Sequence, residues 1–250
     1  MPTVVLLPGL AADGAMWSAQ LDALDRLRGT RIEDVQITDA HFRCDALPAM
    51  AAALLAEHPG PLALCGASMG GIVALEACAQ APQRVQALAL LGTTARPDTP
   101  EVAALRAAAC ALIEGGGFEE MIVGNVPFSF HPDRLHDAAL VNLYLDMLRR
   151  AGAAQLVRQN IAIAARADRR PMLPSIRCPT LVLCGDADVV TTVEASREIA
   201  QSVPGAEFAL VERCGHMLTI ERPREVSDAL CGWLSARLSA RQAANSRRSR

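Results

Sequence analysis

The residues from Cys65 to Gly71 read Cys-Gly-Ala-Ser-Met-Gly-Gly, with Gly66 and Gly70 each two positions from Ser68. The apolar run Pro61–Cys65 before them reads as a short buried strand, and Ile72–Gln80 after them as a helix with few breakers. Ser68 therefore falls on a strand-to-helix turn. Such a turn strains its apical residue, and glycines on either side remove the side chains that would collide there. The serine hydroxyl is lifted clear of the strand ends, and the first N–H groups of the new helix point at whatever it attacks. This G-x-S-x-G pattern suits nucleophilic attack on an acyl carbon. A plain Gly-rich loop is the rival reading, and the rest of the chain has to decide.

A serine nucleophile needs a base, an acid to orient the base, and donors for the oxyanion. The strand-like run Thr180–Cys184 ends in Gly185-Asp186-Ala187-Asp188, and Glu207–Val211 runs on to Cys214-Gly215-His216. The chain order Ser68, Asp188, His216 is the one expected on an architecture with such a serine turn, and not that of the chymotrypsin or subtilisin types. At the other end, Thr3–Leu7 breaks into Pro8-Gly9-Leu10, which would bring the Leu10 N–H beside that of Met69. Asp186 competes with Asp188 for the acid position.

These four signals, each at the end of an expected strand, resemble the α/β-hydrolase superfamily, and most of all its small bacterial esterase, lactonase and cofactor-free haloperoxidase-like branch. The resemblance runs from Thr3 to about Leu238. It implies Ser68 as nucleophile, Asp188 as acid in a G-x-x-D turn and His216 as base in a G-H motif. It also implies Leu10 and Met69 as backbone oxyanion donors, and Glu221-Arg222-Pro223 as the start of the last helix. Many relatives carry a histidine before the glycine of the oxyanion loop, where this chain has Pro8.

The elements that must hold these residues are legible as near-continuous apolar runs. Thr3–Leu7, Leu62–Cys65, Ala87–Leu91, Thr180–Leu183 and Glu207–Val211 read as strands, with Arg31–Ile37 a weaker sixth. Unbroken apolar strands separated by helical segments predict a mostly parallel, doubly wound sheet covered on both faces. From 96 to 170 the rhythm stops: Glu101–Ile113, Asp133–Ala151 and Ala153–Ala165 read as helices around Gly115-Gly116-Gly117, with no strand. One crossover helix would suffice there, so this stretch is expected to be a helical cap, with ordinary packing helices as the alternative. The core is then 1–95 with 171–240, and 241–250 a disordered basic tail.

Composition narrows the function further. A chain of 250 residues that is 51% hydrophobic buries a large single core. None of its 24 basic residues is lysine, which excludes Schiff-base chemistry and a P-loop lysine. The formal net charge is −3, yet Arg237–Arg250 holds five arginines and no acid, so the body is more acidic still. That sign disfavours nucleic acid. The N-terminal apolar run is too short for a signal peptide, and nothing approaches a membrane span. A cytoplasmic location follows, with the eight cysteines as thiols and none in zinc-like spacing. No cofactor or metal is required by the expected chemistry.

Several residues carry weaker expectations. Cys65, Cys184 and Cys214 each precede a glycine at a catalytic turn, as small apolar fillers or as oxidation-sensitive thiols. His41, His58, His131 and His136 read as surface or loop residues, and Glu76 as a helix-surface residue. Met16 and Trp17 pack the first helix or line the pocket. Phe118, Phe128, Phe130 and Tyr144 with many aliphatics in 96–170 suit a small to medium aliphatic acyl group. Arg149, Arg150, Arg166, Arg169 and Arg170 could instead attract an anion. The expected partner is a small ester-like molecule. A hydrolase-fold binding or signalling protein with slow turnover is the second class of function.

Overall fold

The computed structural model describes residues 1–248, with side chains described through Ser239. Six strands, β1 Thr3–Leu7, β2 Val35–Ile37, β3 Leu62–Ala67, β4 Val85–Leu91, β5 Thr180–Gly185 and β6 Glu207–Val211, form one sheet in the order β2-β1-β3-β4-β5-β6. All neighbouring pairs are parallel. The sheet is the doubly wound one expected from the apolar runs. Because the strands are parallel, the carboxyl ends of β1, β3, β5 and β6 lie along one edge, and the order reverses between β1 and β3, where a crevice for a ligand opens.

Alternation along the strands feeds two cores. Val4, Leu6, Ala63, Cys65, Ala87, Ala89, Leu181 and Leu183 face one side, where α1 Ser18–Asp25 and the last helix, starting at Pro223, cover them through Leu24, Val226, Leu230 and Leu234. Val5, Leu7, Leu62, Leu64, Leu88, Leu90 and Val182 face the other. There they meet α3 Leu47–Glu57, α4 Met69–Gln80 and α10 Val193–Ser202, while the short α2 Ala40–Arg43 precedes α3. Burial on both faces is why these strands read as unbroken apolar runs.

Between β4 and β5 lie α5 Pro100–Glu114, α6 Phe118–Gly124, α7 Val126–Ser129, α8 Ala138–Ala151 and α9 Ala153–Ala164, with no strand. α11 Leu218–Glu221 and α12 Pro223–Arg248 close the chain. The tail expected over 241–250 falls outside the described side chains.

Element boundaries differ from the sequence reading in instructive ways. The helix expected over Asp133–Ala151 is interrupted: a short 3-10 turn covers Pro132–Arg134, and α8 begins only at Ala138, where the Asp137 carboxylate accepts the Leu140 N–H at 3.1 Å. Asp137 is thus the N-cap that starts α8, satisfying one of the helix's unpaired N–H groups. β2 is shorter than Arg31–Ile37, because only Val35, Gln36 and Ile37 pair with β1. β3 runs on through Gly66 and Ala67, and the missing Cβ at Gly66 leaves room for the backbone of α4 to approach the strand end.

That packing is tight enough to predict a consequence. A Cβ on Gly70 would lie 2.1 Å from the Leu7 carbonyl oxygen, and one on Gly66 would lie 2.3 Å from the Gly70 oxygen. Backbone cannot yield there without moving a strand. Gly70→Ala is expected to lower stability by about 3 kcal/mol or more. A fall in the urea midpoint with an unchanged slope would show it.

Candidate functional site

Ser68 sits between β3 and α4 with φ 52° and ψ −119°, a left-handed conformation that a non-glycine residue holds only when its surroundings enforce it. The enforcement is visible. Ser68 N–H donates to the Leu91 carbonyl at 2.9 Å, and the Ser68 carbonyl accepts from Thr93 Oγ1 at 2.8 Å and the Gly71 N–H at 2.9 Å. With its backbone pinned, the hydroxyl is held at the carboxyl end of the sheet.

β5 and β6 bring the other two polar groups to that edge. The Ser68 hydroxyl lies 2.9 Å from His216 Nε2, and His216 Nδ1 lies 2.9 Å from Asp188 Oδ2. A carboxylate only accepts, so Nδ1 carries the proton and Nε2 presents a lone pair to the hydroxyl. Asp188 is buried, and its Oδ1 accepts the N–H groups of Val190 and Thr191 at 2.9 Å each. Burial pushes its carboxyl up, but the His216 ring and the Thr191 donors outweigh that and hold it below the ordinary carboxylate value. Burial likewise disfavours a charged His216, yet the Asp188 carboxylate wins and holds the ring above the ordinary imidazole value.

The histidine loop is itself clamped. Asp186, the rejected competitor of Asp188, accepts the N–H groups of Arg213 and Cys214 at 3.0 Å each and so fixes the chain just before His216. Glu221 is buried, takes the Gly215 N–H on Oε2 at 2.8 Å and takes the His131 N–H on Oε1 at 2.9 Å. One carboxylate thus ties the histidine turn to the helical insert. Gly215 has no room for a side chain, because a Cβ would lie 2.5 Å from the Phe130 carbonyl carbon.

Pro8-Gly9-Leu10 lies against the serine turn: a Cβ on Gly9 would be 3.3 Å from Ser68 Cβ. Among the described residues, neither the Leu10 N–H nor the Met69 N–H at the head of α4 has an acceptor. Met16 and Trp17 are buried in the core, and Met16 Sδ takes the Gly9 N–H at 3.3 Å, which packs Met16 against the loop.

Two expectations require correction. Glu76 is buried, not on a helix surface, and makes a bidentate pair with Arg169, with contacts of 2.6 Å from Nε and from Nη2. Helical periodicity on α4 gave no warning, because nearly every residue of that helix is covered. His41 is buried too, with Nε2 2.8 Å from the Ala12 carbonyl. Among the other histidines, His136 is exposed, and His58 and His131 are half-buried.

The arginines expected to attract an anion are engaged: Arg149 with Glu119, Arg150 with Asp13, Arg166 with Asp98, Arg169 with Glu76 and Arg170 with Asp168. They fit structural roles better than capture of an anionic substrate. Among the described residues no disulfide forms. Burial pushes the Cys65 thiol up to about 12 and the Cys184 thiol up to about 11, and raises Cys214 as well. Thiols so rarely ionised are poor targets for oxidation, which favours packing.

Thr191 escaped the sequence reading. Its hydroxyl donates to Asp188 Oδ2 at 2.9 Å and lies 3.2 Å from His216 Nδ1. An Asp with a Thr three residues later is a turn signal that could have pointed to it. A groove of about 570 Å³ between α5 and α9, lined by Ile113, Val157, Ile161, Asp45 and Arg158, includes none of Ser68, Asp188 and His216. Among the described residues, no cluster of three or more His, Cys, Asp or Glu side chains is placed to hold a metal ion.

Comparison with known proteins agrees with the fold. A candidate carbamate hydrolase, RutD, of Serratia proteamaculans is 27% identical, covering 93% of this chain and 91% of its own. A pimeloyl-[acyl-carrier protein] methyl ester esterase of Nitrosomonas europaea is 27% identical over 90% of this chain and 92% of its own. Among solved structures, a thermophilic esterase from Thermogutta terrifontis superposes with a TM-score of 0.82 at 25% identity, covering 94% of this chain and 90% of that one. The enol-lactonase of Burkholderia xenovorans LB400, at 24% identity, shares the fold with a TM-score of 0.79 over 94% of this chain and 91% of that one. The family model for the alpha/beta hydrolase fold matches residues 2–223, and the chain belongs to that family.

Proposed function

We propose that the protein is a serine hydrolase that cleaves a carboxylic ester, lactone or thioester of small to medium, mainly aliphatic character through an acyl-enzyme on Ser68. The observation that carries this reading is the 2.9 Å and 2.9 Å relay from Ser68 through His216 to Asp188, built on a strained serine turn. In this reading His216 takes the Ser68 proton as the oxygen attacks the acyl carbon. Asp188 keeps the imidazole in the productive tautomer and stabilises its charged form. The N–H groups of Leu10 and Met69 receive the oxyanion, where one donor is worth roughly 3–4 kcal/mol. His216 then returns the proton to the leaving oxygen or sulfur, and water activated by the same ring releases the acyl group.

The insert from 96 to 170 is read as a cap over this edge. Its segment around Phe130 packs on Gly215, and Phe130 and Tyr144 stack edge to face at 5.4 Å, so these rings contact each other rather than presenting a broad aromatic wall. A small acyl pocket fits that. The similarity to esterases supports carboxylic ester cleavage. A small-molecule substrate, with neither nucleic acid nor membrane as partner, fits the acidic body and the absence of a described helix long and apolar enough to cross a membrane. A cytoplasmic location fits the thiols.

A panel of p-nitrophenyl esters of increasing chain length, with N-acyl lactones beside it, tests the reading. Multiple turnover on short and medium chains, falling off for long ones, is expected. Ligand binding with no more than one turnover per molecule would replace the enzyme with a hydrolase-fold binding protein.

A further inference from the structure

We infer that Gln159, on helix α9 of the insert, is a positioning residue that sets the aim of the Leu10 N–H; this rests on the reading of Leu10 as an oxyanion donor. Gln159 is fully buried. Its Oε1 accepts the Ala11 N–H at 2.6 Å, and its Nε2 donates to the His41 carbonyl at 2.8 Å. Both partners have fixed polarity, so the amide can stand only one way round. His41 completes the circuit: its Nε2–H donates to the Ala12 carbonyl at 2.8 Å. Ala11 and Ala12 are therefore gripped from one side by the insert and from the other by α2.

The grip reaches the oxyanion loop through the backbone. Ala11 has φ 51°, a left-handed conformation that an alanine does not hold unaided. The Ala12 N–H donates to the Gly9 carbonyl at 3.2 Å. That carbonyl belongs to the same rigid peptide plane as the Leu10 N–H. Moving Ala11 and Ala12 rotates the plane, and with it the donor beside Ser68. Arg150 holds the adjoining Asp13 by an ion pair at 2.7 Å, so the insert is fastened to this loop at two points. The insert thus helps to build the site and does not merely cover it.

Gln155 supplies the control. It lies one turn away on α9 and donates to the same His41 carbonyl at 2.9 Å, but makes no hydrogen bond to residues 9–12. Gln159→Met keeps the volume and removes both bonds; Gln159→Glu keeps an acceptor for Ala11; Gln155→Met removes its bond to the shared His41 carbonyl and the one it accepts from Arg158, neither of which reaches residues 9–12. Two readouts are taken on each folded variant: amide exchange over residues 9–12, and the rate at which an alkyl fluorophosphonate labels Ser68. In that labelling the serine oxygen bonds to phosphorus, fluoride leaves and His216 takes the proton.

For Gln159→Met, faster exchange at Ala11 and labelling slowed roughly 10- to 100-fold are expected. Gln155→Met should stay within about threefold of wild type, and Gln159→Glu should recover most of the lost rate. Unchanged exchange, faster exchange with unchanged labelling, or equal losses in Gln159→Met and Gln155→Met would each overturn the assignment. Wild-type protein that no fluorophosphonate labels would count against the serine hydrolase reading, while the exchange arm would still decide the grip.

Discussion

Ser68→Ala is expected to lower kcat by about 10⁶-fold, His216→Ala by about the same, and the double variant by no more than either alone. The reason lies in the relay geometry. Ser68 Oγ stands 2.9 Å from His216 Nε2, so oxygen and base act as one unit: without the base the hydroxyl stays protonated, and without the hydroxyl the base has nothing to activate. Independent contributions would multiply, whereas a single unit saturates. Steady-state assays of the three variants on one short-chain ester decide between these outcomes. Losses that multiply would mean that His216 serves some step other than activation of Ser68. The free N–H groups of Leu10 and Met69 should leave a residual rate above water in every variant.

Asp188→Asn is expected to cost about 10⁴-fold in kcat, because an amide in that place no longer enforces the tautomer that leaves Nε2 free. A second effect separates this from simple misfolding. Burial works against a charged His216, and only the Asp188 carboxylate, 2.9 Å away, carries the ring above its ordinary value. The base works when neutral, so kcat/KM rises with pH through the His216 value. In wild type that rise should lie above the ordinary imidazole range; in Asp188→Asn it should move to lower pH, since burial is left unopposed. A limb that stays in place would mean the carboxylate does not act on the ring's charge.

The same pair acts on stability with opposite signs at the two ends of the pH range. The share due to the raised His216 is complete below the ordinary imidazole value and is lost as pH climbs through the raised one. The share due to the lowered Asp188 is complete above the ordinary carboxylate value and is lost as pH falls through the lowered one.

The features legible in the chain are those that depend on short-range chemistry. Gly66 and Gly70 declare the tight turn around Ser68, and the apolar runs declare strands buried on both faces, because those demands are met by neighbours in sequence. Asp188 and His216 stand out for the same reason, each a few residues past a strand end. Glu76 and His41 are misread from sequence because their burial comes from partners far along the chain: Arg169 is 93 residues from Glu76, and the Ala12 carbonyl is 29 from His41. Gln159 gives no signal, since a glutamine on an amphipathic helix looks the same whether it meets water or the Ala11 N–H 148 residues away. Glu221 is legible only as a helix start; its grip on Gly215 and His131 depends on how the insert folds back.

The account turns on a covalent bond at Ser68, and mass spectrometry of the quenched protein tests it most directly. Wild type would be mixed with p-nitrophenyl acetate, stopped with acid within milliseconds to seconds, and digested. An acetyl group on the peptide containing Ser68, formed as fast as the burst of p-nitrophenol and absent from Ser68→Ala, is the predicted result. Turnover with no acyl group on Ser68, or with full activity in Ser68→Ala, would contradict the account.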